Sequence, residues 1–149
     1  MKTIQTYARY VEWLSADEMH TDSKEWLSEL KFIRDEHIFF EDLITSFTAQ
    51  LIAKEKFPNS RELTDAIKSS QKRNELLIEA VKTHENDLKI MVDGIDQIKE
   101  ENAYTKEHKN LVEIIDNFSK EYKALKSRVF KMITDIKKEE KQKRLIDKK

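Results

Sequence analysis

Trp26-Leu27-Ser28-Glu29-Leu30-Lys31-Phe32-Ile33-Arg34-Asp35-Glu36-His37-Ile38-Phe39-Phe40-Glu41-Asp42-Leu43-Ile44 sets the fold. Its apolar seam runs Trp26, Leu30, Ile33, His37, Phe40, Ile44 and on to Phe47 and Leu51. The steps alternate between four and three, a 3.5-residue repeat that only a helix buries along one stripe. Asp22 followed by Glu25 is a capping-box spacing that can start this helix, and Ser15 with Glu18 offers an earlier start. Proline disfavours the α conformation in the residue before it, so the helix is expected to weaken near Phe57-Pro58.

Two further seams follow. Leu63, Ile67, Ser70, Asn74, Leu77, Val81, His84, Leu88, Met91, Ile95 and Ile98 form the second, which Asn59 and Glu62 are placed to cap. Gly94 lies within it, at a cost of about 1 kcal/mol relative to alanine. Tyr104, His108, Leu111, Ile115, Phe118, Tyr122, Leu125, Val129, Met132 and Ile136 form the third. The step from Ile98 to Tyr104 is one short of a heptad, which favours a turn near Glu100-Glu101-Asn102. Without that turn a single helix would run on from Asn59. Ile4, Tyr7, Val11 and Leu14 also step by three and four, as a short helix or a packed arm would.

Composition agrees with this pattern. The 149 residues contain one glycine, one proline and no cysteine, and 38% are charged. Folds rich in turns need more glycine and proline than this. Without cysteine there is no disulfide frame, thiolate metal site or thiol nucleophile. The expected structure is an all-α, elongated, antiparallel up-down-up bundle of three long helices. It forms one domain over residues 1–149, with an N-terminal segment (1–18) and a basic tail (137–149), and dimerisation would complete a larger bundle. No apolar run is long enough for a transmembrane helix, and the N-terminus lacks a signal-peptide core, so the default location is cytoplasmic.

Nine of the thirteen aromatic residues fall in the first 57 positions. The first long helix carries its seam and also a flank of Leu27, Phe32, Phe39 and Leu43. An apolar arc this wide is buried on two sides. The second side is covered either by the chain itself or by another protomer or protein, with Trp26, Phe32, Phe39, Phe40 and Phe47 as the candidate surface.

Three of the four histidines occupy seam positions, one per helix: His37, His84 and His108. With Asn74 and Ser70 they read as polar core residues that fix register. If the first turn centres near Phe57-Pro58, His37 and His84 stand roughly 9 Å apart in height. If the second centres near Glu101, His108 lies roughly 15 Å from the level of His84. Buried and neutral, such rings would make the bundle acid-sensitive below about pH 6.

His37 and Glu41 have His-x-x-x-Glu spacing on one helix face. The spacing resembles one element of the hemerythrin-like cation-binding bundles, and it covers only these residues. That resemblance implies metal binding through His37 and Glu41, as an alternative function. The second His-x-x-x-His pair of that family is missing here. The nearest analogue of a ferritin-like Glu-x-x-His element is Glu18-Met19-His20 with Asp17, present once.

The balanced charge hides a gradient. Residues 12–42 hold ten Asp/Glu and three Lys/Arg, while residues 119–149 hold five and twelve. The basic tail has no aromatic residue, and acids interrupt its run, so it reads as a solvated helix end more than as a nucleic-acid surface. The single glycine excludes a G-x-G-x-x-G fingerprint and a P-loop. The sequence therefore favours a non-enzymatic helical protein, without a cofactor, that associates with a protein partner or with itself.

Overall fold

A computed structural model describes residues 15–53, 57–93 and 98–147. Every one of them except Ser15 and Phe47 is α-helical. The helices are α1 (Ala16–Ser46), α2 (Thr48–Ala53), α3 (Phe57–Asp93) and α4 (Ile98–Asp147). The expected all-α bundle of three long helices is the observed one. Ile4, Tyr7, Val11, Leu14 and Gly94 lie outside the described residues.

Helix starts and stops follow local chemistry. Ser15 is the cap of α1: its hydroxyl accepts a bond from the Glu18 backbone N–H at 3.2 Å. The earlier of the two sequence starts is therefore the one used, and Asp22 is left for another role. The helix breaks at Phe47, well before Pro58. There the hydroxyls of Thr45, Ser46 and Thr48 donate to the carbonyls of Glu41, Leu43 and Ile44. Such back-bonding competes with the helix ladder. The Phe47 N–H also donates to Ile44 three residues back, a tightened turn. Pro58 falls in the first turn of α3, where its missing N–H costs nothing, so Asn59 is inside the helix instead of capping it.

Contacts divide the chain into two compact units. Among the described residues the first comprises 15–34, 73–93 and 98–120, and the second 35–53, 57–72 and 121–147. In the first unit, α1 and α3 run antiparallel: Leu30 pairs with Asn74, and His20 with Glu85. Helices α3 and α4 are also antiparallel, pairing His84 with His108 and Arg73 with Phe118. Its main core joins Trp26 and Leu30 of α1, Leu77, Ile78 and Val81 of α3, and Leu111, Val112, Ile115 and Phe118 of α4. A smaller cluster of Met19, Leu88, Met91 and Tyr104 closes one end. In the second unit, His37 pairs with Ser70, Glu62 with Arg128, Glu36 with Tyr122, and Phe40 with Phe130. These pairs make α1 antiparallel to α3 and parallel to α4.

The register differs from that expected. The α1–α3 pairs centre the first reversal near residue 53 and the α3–α4 pairs centre the second near residue 96, each about five residues earlier than expected. A displacement of the turn moves facing residues by twice that amount, and this changes which histidines meet.

Burial sets the energetic scale. Leu30 is 1% exposed within the core, whereas Leu76 is 70% exposed on α3. Leu30→Ala is expected to cost about 2–5 kcal/mol in urea denaturation. Leu76→Ala should stay within about 0.5 kcal/mol of the parent. Equal losses for the two substitutions would contradict the assigned core.

Candidate functional site: two buried polar layers

All the seam histidines are fully buried. In the first unit, two of them form a line with an acid. The Asp22 carboxylate accepts a bond from His108 Nε2–H at 3.0 Å. His108 Nδ1 in turn shares a hydrogen bond with His84 Nε2 at 2.8 Å. The line ties α1, α4 and α3 together in that order. Aromatic rings close over it: Trp26 stacks on His108 at 4.7 Å, and Tyr104 lies almost parallel to His84 at 4.0 Å.

The line ends in an unpartnered atom. His84 Nδ1 is buried without a hydrogen-bond partner, as is Glu85 Oε1 beside it on α3. The other Glu85 oxygen is held by His20 Nδ1 at 2.6 Å, a second α1–α3 tie. Burial pushes the Tyr104 hydroxyl pKa upward, and the Glu85 carboxylate adds to the shift. Tyr104 also lines a groove of about 280 Å³ between Asp87, Ile90, Met91, Ala103 and Glu107.

The second unit repeats the device with different residues. Glu36, Ser70 and Tyr122 lie fourteen residues, or two heptads, from Asp22, His84 and His108 on the same helices. Here too an α1 carboxylate accepts from an α4 seam residue, with Tyr122 Oη–H donating to Glu36 at 3.0 Å. Lys126 Nζ donates to the other Glu36 oxygen at 2.7 Å. His37 Nε2 meets the Ser70 hydroxyl at 2.8 Å, and its ring packs edge-on against Tyr122 at 5.1 Å.

His84 and His108, expected at different heights, are therefore in direct contact, and His37 belongs to the other unit. Asn74 is buried as well, and its Nδ2 donates to the Leu30 carbonyl at 2.8 Å. Among the described residues no group of three His, Cys, Asp or Glu side chains is placed to hold a metal ion. His37 of the candidate His37–Glu41 pair spends Nε2 on Ser70, and Glu41 is half-buried.

The candidate surface divides. Trp26 and Phe40 occupy inward seam positions and are buried in the chain's own core, which withdraws them from a docking face. Phe47 is half-buried at the helix break. Phe32 and Phe39, on the flank, are 63% and 54% exposed.

Sequence reasoning passed over Asp22, read as a cap, and Glu36, which it did not single out. The usable signal was their common spacing of two heptads beside a seam. The chain matches no protein-family model, no curated protein and no solved structure.

The buried rings impose an acid dependence. Burial, and after it the neighbouring His108, lowers the pKa of His84 to about 4. Burial also lowers that of His37, against an opposing pull from Glu36. The unfolded chain therefore takes up these protons first as pH falls. For His84, stability is complete above about pH 6.5 and drains between pH 6.5 and 4, by about 1.4 kcal/mol per pH unit, and His37 adds a loss of the same sign. Between pH 7 and pH 5 the melting temperature should fall by on the order of 5–10 °C. An unchanged melting temperature over that range would contradict buried neutral histidines.

Proposed function

We propose that the protein is a non-enzymatic helical bundle that works by associating with another polypeptide. The observation that carries this reading is an exposed aromatic patch in the second unit. Phe39 of α1 and Phe130 of α4, the latter 44% exposed, both pack on the buried ring of Phe40, at 5.9 and 5.4 Å. Two half-exposed phenylalanines over one buried ring present contiguous apolar surface, which marks interaction sites on folded proteins. Aromatic residues, phenylalanine among them, are enriched at the cores of protein interfaces.

The polar groups support the same reading. His37, His84 and His108 have no face open to solvent, so a dissolved substrate has no path to the imidazoles. Their contacts instead join helices across the core. No helix among the described residues is long and apolar enough to cross a membrane.

A photo-crosslinking amino acid at position 39 tests the reading. In cells, the label at 39 should give discrete protein adducts, and the same label at exposed Lys24 should give few. Equal labelling at both positions, or none at 39, would overturn it.

A further inference from the structure

The patch is flanked by charge in a way that specifies its partner. In the second unit, residues 35–46 of α1 carry Asp35, Glu36, Glu41 and Asp42 and no Lys or Arg. The adjoining stretch of α4, residues 121–134, carries Lys123, Lys126, Arg128 and Lys131 against Glu121. Within the chain, Lys126 is engaged with Glu36, and Arg128 with Glu62. Asp35 and Asp42 on one side, and Lys123 and Lys131 on the other, are exposed. A face with an acidic helix, a basic helix and an aromatic residue on each is complementary to itself.

Resting on the association reading above, we propose that the partner is a second copy of this chain. The copies dock face to face through Phe39 and Phe130, about a two-fold axis running along the helices, so that α1 of each lies over α4 of the other. The direction of the axis follows from the charges. A two-fold axis across the helices would set α1 on α1 and α4 on α4, placing acid over acid and base over base. Like charges juxtaposed in an interface cost several kcal/mol. An axis along the helices sets acid over base twice, as an isologous interface requires. It also leaves heights unchanged. Because α1 and α4 are parallel, with Glu36 beside Tyr122 and Phe40 beside Phe130, Asp35 is level with Lys123 and Asp42 with the turn around Lys131. Each acid then meets its opposite charge on the other copy, and the exposed aromatics meet between them.

Light scattering on the full chain should give about twice the 17.8 kDa chain mass at low salt, and a several-fold weaker dimer in about 0.5 M salt. Phe39→Ser with Phe130→Ser should give a monomer of unchanged helicity, since both side chains are already half in water. The chain has no cysteine, so single cysteines can map the axis. An Asp35→Cys chain mixed with a Lys123→Cys chain should form the mixed disulfide in preference to either homodimeric one. A monomer at every concentration overturns the proposal, and so does a dimer in which Asp35→Cys pairs mainly with itself. Either result leaves the broader reading standing if position 39 crosslinks to a different protein, whereas the absence of any adduct at 39 removes both.

Discussion

The bond between His84 and His108, continued to Asp22, is the constraint on which the first unit depends. A buried polar group without a partner costs about 1–3 kcal/mol, so the three side chains tolerate only the register in which they meet. Hydrophobic contacts alone would leave that choice loose, because a heptad seam can slide by seven residues and still bury leucine against leucine. A slide here would strand two imidazoles and a carboxylate in an apolar core. The line trades some stability for a specified alignment of three helices, and acid weakens it because the His–His bond needs a neutral acceptor nitrogen.

The second unit solves the same problem with less acid-sensitive parts. Ser70 replaces the imidazole of the corresponding α3 position, and a hydroxyl can accept from a protonated ring as readily as it donates to a neutral one. Tyr122 and Lys126 hold Glu36 without any histidine proton. A polar layer thus recurs two heptads along each helix, built from the same roles and different chemistry. This unit also carries the exposed aromatic patch, so the surface proposed for association sits on the less acid-sensitive layer.

Much of the fold was legible in the sequence because alternating steps of three and four have one physical meaning. The seams placed α1, α3 and α4, and they placed the buried histidines, Asn74 and Ser70 on the inward stripe. The register was not legible, since it depends on where the chain reverses. The expected marker, Pro58, is tolerated inside the first turn of a helix. The actual break at Phe47 coincides with three back-bonding hydroxyls, Thr45, Ser46 and Thr48, which are an individually weak signal. The second reversal, centred near residue 96 and not near Glu101, is the displacement that separated His84 from His108 and hid the line they form. Asp22 was obscured by a second plausible role, because its spacing to Glu25 fits a cap that Ser15 in fact supplies. The aromatic residues were sorted only by the structure: seam and flank positions differ by about a quarter turn, which decides whether a phenylalanine fills the core or faces solvent.

The proposed association rests on the patch around Phe40, while the polar layers tie together the helices that display it. The most direct measurement of those ties is the protonation of the imidazoles themselves, read from ring nitrogen chemical shifts in a ¹⁵N-labelled sample. At pH 7 His84 should be neutral, and it should remain so until the pH falls well below 6. Ordinary titration of His84 near pH 6.5 would contradict a buried line running from Asp22 through His108 to His84.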